Sequence, residues 1–218
     1  MAEMMALAGR FQSGELIAAF RELATAGYRA GYGVAWCHGT LLGAARSAQP
    51  EWNGLADIKA DMAIARLAGP AGHDGERQPL IRREHPRPQA FLTPARLGDP
   101  AGLDIGQRIT DRDDPDERFF LHVLHSLDET DPLGSVTAMH ERLAAEPDQR
   151  FLLMNTNLLL ASTWREPGVG ATLLGRSDQL RVLAPVRLSA FGEMNWEVLP
   201  PRTVMFLSRQ RYEAGQTG

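Results

Sequence analysis

Few residues in this chain have the types and spacing that chemistry needs. The one thiol is Cys37, followed directly by His38. A cysteine activated by a neighbouring histidine is a nucleophile in acyl transfer. Adjacent residues on a strand point to opposite faces, however, so the pair is poorly placed to exchange a proton, and a packing cysteine is the simpler reading. His122 and His125 stand three apart in a helical run, which places them near one another on one face. That spacing suits a metal, but a third ligand is not evident; His140 on the following helix is the nearest candidate. The acidic run Asp111 to Glu117 offers oxygen ligands without a calcium-loop pattern. It reads instead as the start of a helix, where negative charge is favoured. No metal and no cofactor are expected.

The elements that would position these groups follow from periodicity. Met4 to Gly9 reads as a short buried strand. Gly14 to Ala26 is an amphipathic helix with Leu16, Ile17, Phe20, Leu23 and Ala24 on one face. Val34 to Cys37 and Leu41 to Arg46 form a hairpin around His38-Gly39-Thr40. Leu55 to Asp61 reads as helix and Met62 to Leu67 as strand. Residues 69–116 are long and irregular, with short strands near Leu80-Ile81 and Gln89 to Leu92; loops of such length carry function or are disordered. Pro115 opens a helix through Leu127, and a second helix covers Gly134 to Glu146. Strands follow at Phe151 to Met154, Asn157 to Thr163, Gln179 to Leu183 and Thr203 to Ser208. Strands, then two helices, then strands imply an α+β fold of stacked antiparallel sheets with helices outside.

Composition narrows the classes. The 218 residues suit one domain, 1–218, with a sizeable core. A net charge of −4 argues against a nucleic-acid partner. One cysteine excludes an internal disulfide. No apolar run approaches the roughly 20 residues of a membrane span, and the N-terminus lacks a signal-peptide plan. A cytoplasmic protein without a membrane partner is expected.

Several segments share a pattern. MAEMMALAGRF opens the chain, and AGYGVAWCHGTLLGAARSAQPEW spans 30–52. AIARLAG spans 63–69, ERQPLIRREHPRPQAFLTPARLGD 76–99 and RDDPDERFFLHVLHSL 112–127. Near the end stand FLLMNTNLLLAS and MNWEVLPPRTVMFL. In order and spacing these resemble the class II glutamine amidotransferases: their opening strand, "DGWG" hairpin, "AHxRxAT" strand, "NTHPF" to "HNG" stretch, "GDTDSERLF" helix and closing "PPG" strand. The likeness runs over nearly the whole chain. It implies the N-terminal-nucleophile fold, a four-layer sandwich of two antiparallel sheets flanked by helices, with the site near the chain start.

The resemblance also implies which positions should act. The family's nucleophilic cysteine falls at Ala2, which has none, and the next arginine is Glu3. The asparagine-glycine oxyanion pair falls at Pro94 and Ala95, the preceding histidine at Thr93, and the "THP" histidine at Gln78. Proline brings neither a backbone N–H nor a side-chain donor. The aspartate that holds the substrate's ammonium falls at Pro115, with Asp113, Asp114 and Asp116 beside it, so a one-residue shift lets Asp114 or Asp116 serve. Arg66 stands where the family binds the substrate carboxylate; a salt-bridged strand residue is the alternative. Three functions follow. The first is a non-catalytic subunit that scaffolds a synthase, a ligase or an active amidotransferase relative. The second is an amidohydrolase with a rearranged site, relying on Cys37 or a metal. The third is a sensor that binds a small amino acid or carboxylate in the old pocket.

Overall fold

In a computed structural model, residues 3–27, 30–49, 52–68, 78–83, 87–95, 97–111, 114–143, 146–166 and 171–207 are described below. Ala2, residues 69–77, Asp113 and Ser208 fall outside them. The chain folds as β1 (Glu3–Gly9), α1 (Ser13–Thr25), β2 (Ala30–His38), β3 (Leu41–Ser47), β4 (Met62–Ala68), β5 (Leu80–Arg82) and β6 (Gln89–Leu92). It continues as α2 (Pro115–Ser126), α3 (Pro132–Arg142), β7 (Phe151–Asn155), β8 (Leu159–Ser162), β9 (Leu173–Arg176), β10 (Leu180–Ala184), β11 (Asn195–Val198) and β12 (Val204–Phe206).

Two antiparallel sheets result. One has seven strands in the order β11-β9-β10-β1-β4-β2-β3, the other five in the order β12-β8-β7-β6-β5. Alternation along each strand sorts side chains to two faces. In β1 and β4, Met5, Leu7, Ala63, Ala65 and Leu67 face outward onto Leu16, Ala19, Phe20 and Leu23 of α1. Ala6, Ala8, Met62 and Ile64 face inward onto Ala90, Leu92, Leu152 and Met154 of the second sheet. That sheet's other face, with Phe91, Phe151, Leu153 and Leu160, receives Phe119, Phe120, Val123, Val136 and Met139 of α2 and α3. The order is therefore helix, sheet, sheet, helix, the expected α+β sandwich.

The helix starts follow their capping chemistry. Asp114 caps α2 by accepting from the Asp116 N–H, and Asp131 caps α3 by accepting from the Gly134 N–H, with proline in the first turn of each. Of the acidic run, Asp114 is thus the cap of α2, and Asp116 and Glu117 lie in its first turn, where negative charge is favoured.

Two readings need correction. Leu55 to Asp61 is not helical: a 3₁₀ turn at Asn53–Leu55 leads into irregular chain, where Leu55, Ile58 and Ala60 are buried in the α1-side core. β9 and β11 were not foreseen. Gly175 lies in β9 opposite Trp196 in β11, and a Cβ there would come within 2.9 Å of the indole. The glycine that looks like a breaker makes room for a cross-strand tryptophan. Gly43 and Trp36 repeat the device in β2 and β3, with a Cβ only 2.6 Å from the ring.

Candidate functional site

Arg46, Gly33, Arg66 and Met4 form one cross-strand row at the end of the large sheet. Directly paired residues share a face, and Arg66 has the parity of Met62 and Ile64, so the row faces the second sheet. Arg66 is 4% exposed. Gly33 is small for a reason: a Cβ there would lie 1.8 Å from the Gln78 carbonyl oxygen. The 78–79 segment therefore lies against the row, and the Arg46 guanidinium donates to the Pro79 carbonyl.

Gln78 is fully buried at this place. Its Oε1 accepts from the Thr93 N–H at 2.9 Å, and its Nε2 donates to Asp116 Oδ2. The two contacts fix which amide atom is which, since a backbone N–H only donates and a carboxylate only accepts. Thr93 is held in turn: its hydroxyl donates to the Arg150 carbonyl at 2.7 Å and accepts from the Ala95 N–H at 2.9 Å. Asp116 is fixed by its place in the first turn of α2, where its N–H donates to Asp114 Oδ1 at 2.8 Å. Arg150, 2% exposed, pairs with Asp148 through two bonds of 2.8 and 2.9 Å.

The structure thus brings together Gln78, Thr93, Ala95 and Asp116, with Asp114 serving as a helix cap. The Ala95 N–H is turned onto Thr93, and Pro94 between them has none to give. The importance of Gln78 was not legible in the sequence, where only its departure from a histidine stood out. A cavity lined by Met4, Arg150, Leu152, Thr163 and Leu183 measures about 20 Å³, little more than one water needs. An open groove of about 720 Å³ lies elsewhere, between the end of α1 and β9–β11, lined by Glu22, Arg187 and Trp196. None of the site residues expected from the sequence lines it.

The other candidates are structural or surface residues. Cys37 is 1% exposed in the inter-sheet core, and its thiol donates to the Asn155 carbonyl at 3.4 Å. Burial, reinforced by the Asp61 charge, pushes its pKa up to about 12, the opposite of what a nucleophile needs. His38 is exposed and faces Asp61 at 3.6 Å. His122 and His125 both turn to Asp104, His122 donating from Nδ1 to the carbonyl at 2.6 Å and His125 meeting the carboxylate at 3.4 Å. His140 is occupied on both nitrogens. Among the described residues no three His, Cys, Asp or Glu side chains cluster to hold a metal.

His140 sits in a network whose order resembles a catalytic triad. Gln149 Nε2 donates to the Leu143 and Glu146 carbonyls, so its Oε1 faces His140 Nδ1 at 2.7 Å. Nδ1 must carry the proton, which leaves Nε2 to accept from Ser162 Oγ at 2.8 Å. Ser162 is 1% exposed, His140 is fully buried, and burial lowers the imidazole pKa to about 4. Stacked on Trp164 at 4.8 Å, the group locks α3 to β8 rather than meeting a substrate.

No family model matches the sequence, and no curated protein does. Solved structures do match in fold, and they are class II glutamine amidotransferases. The glutamine phosphoribosylpyrophosphate amidotransferase of B. subtilis, complexed with ADP and GMP, superimposes with a TM-score of 0.72 at 16% identity over 95% of this chain. This chain spans about half of that one, 47%. A predicted glutamine amidotransferase from Pseudomonas aeruginosa gives 0.63 at 12% identity, covering 95% of this chain and 97% of that one. A glutamine aminotransferase class-II domain protein from Silicibacter pomeroyi gives 0.60 at 16%, covering 95% of each. The chain therefore has the N-terminal-nucleophile fold of glutamine amidotransferases. Among the described residues no helix is long and apolar enough to cross a membrane.

Proposed function

We propose that this chain is a catalytically silent glutamine amidotransferase-like subunit, one domain over its 218 residues, that serves a larger enzyme in the cytoplasm as scaffold or partner. The partner is a synthase, a ligase or an active amidotransferase relative. One observation carries the reading: the positions that match the family's site are closed on each other through Gln78, Thr93 and Asp116. Ala2 at the nucleophile position and Pro94 at the oxyanion position remove the two groups that the reaction cannot do without. The fold persists around a site that no longer needs substrate, which leaves the surface as its use.

The two other functions draw less support. A rearranged enzyme built on Cys37 would need a thiolate, and burial opposes one. A sensor holding an amino acid beside Arg66 would need a pocket of about 300 Å³ or more, whereas the cavity that Met4 and Arg150 line among the described residues is about 20 Å³.

The test is a tagged purification from the native host, with a glutaminase assay on the eluate and on the repurified chain. A stoichiometric partner that rebinds the pure chain, together with an inert chain, supports the proposal. A chain that purifies alone and binds no rebinding partner overturns it.

A further inference from the structure

We infer that Gln78 occupies a primary-carboxamide binding site as a built-in ligand, and that the vacated site takes a free carboxamide. The inference shares its geometry with the functional reading but fails separately, because it concerns binding in the pure chain and needs no partner.

The site turns one donor and one acceptor onto the Gln78 amide. Thr93 N–H offers the donor and Asp116 Oδ2 the acceptor. A primary amide answers both at once. A carboxylate would satisfy Thr93 and bring no donor to Asp116. An alkylammonium would satisfy Asp116 and leave Thr93 without an acceptor. A tertiary amide has no N–H for Asp116. The complement therefore calls for a group that accepts and donates at neighbouring atoms, as –CONH₂ does.

The receptor groups are held without help from the Gln78 side chain. Thr93 is tied by its hydroxyl to the Arg150 carbonyl and the Ala95 N–H. Asp116 is tied through its N–H to the cap Asp114. The backbone of 78–79 is fixed by its close approach to Gly33 and by the Arg46 contact to Pro79. Removing the side chain beyond Cβ thus leaves a preorganised site with the shape of the missing atoms. In the intact chain the tethered amide excludes any competitor, free glutamine included, since a group attached to the site outcompetes a dissolved one.

Gln78→Ala deletes the equivalent of one acetamide molecule. Thermal unfolding of the full chain is followed with acetamide, acetate and N,N-dimethylacetamide at matched concentrations. The variant is expected to melt lower than the parent. Acetamide at ten times its Kd is expected to raise the variant's Tm by about 3–6 °C, with no rise from the other two and none in the parent. An equal response of parent and variant, or of acetate and acetamide, overturns the inference. If Gln78→Ala does not fold, NMR of the parent decides. The Gln78 side-chain NH₂ protons are expected to be downfield-shifted and protected from solvent, and to move on Asp116→Asn. Signals at free-glutamine positions, exchanging at free rates, overturn it.

Discussion

Restoring the nucleophile alone should not restore glutaminase activity. In Ala2→Cys, with N-terminal methionine removal confirmed by mass spectrometry, a thiol returns where the family has one. The tetrahedral intermediate would still lack its oxyanion donors. Pro94 has no N–H to give, and the Ala95 N–H is spent on Thr93 Oγ1 at 2.9 Å. Each missing donor costs about 10²–10³ in kcat, so two cost about 10⁴–10⁶. An amidotransferase turning over at about 10 s⁻¹ would fall to roughly 10⁻³–10⁻⁵ s⁻¹, before the occupied Asp116 is counted. Ammonia release, coupled to NADH oxidation, is read for Ala2→Cys and for Ala2→Cys/Pro94→Asn/Ala95→Gly/Gln78→His. The single variant is expected at background and the quadruple variant above it. Turnover near 1 s⁻¹ in the single variant would refute the argument that the oxyanion site is lost.

Other consequences are open to direct measurement. His140 is neutral in the native state and takes a proton only near pH 4, whereas an unfolded histidine does so near 6.5. The unfolded state binds more protons in that window, so this stability is full above about pH 6.5 and declines by about 1.4 kcal/mol per unit toward pH 4. Urea titrations of the parent and His140→Gln should differ in slope across that range, and parallel profiles would contradict the assignment. Gly33→Ala should cost about 1–3 kcal/mol or more, because the new methyl meets backbone at 1.8 Å. Gly14→Ala, with open space around it, should be neutral or slightly stabilising in the same melts. Cys37 should resist iodoacetamide in the native chain at pH 7.5 and react once urea unfolds it; fast native labelling would show a reachable thiolate.

The sandwich was legible where burial imposes a period. Leu16, Phe20 and Leu23 recur at helical spacing because α1 has one face to bury. Met5 and Leu7 alternate with Ala6 and Ala8 because β1 is buried on both sides, large residues toward the helix and small ones toward the other sheet. Legibility failed where a tertiary neighbour supplies what the local sequence lacks. β9 holds a glycine because Trp196 lies over it, and 55–61 stays irregular where Leu55, Ile58 and Ala60 drop into the core beneath α1. At the site, the missing groups were readable as residue types at Ala2, Pro94 and Ala95. What replaced them was not. Gln78, Thr93 and Asp116 meet across 15 and 38 residues of chain, and no local pattern announces a buried amide bonded at both ends.

The most direct test of the central claim is ammonia release from glutamine by the pure, repurified chain. None above buffer is expected at any protein concentration, with the same result after Cys37→Ala. Hydrolysis that scales with the chain, survives repurification and follows saturation kinetics would contradict it.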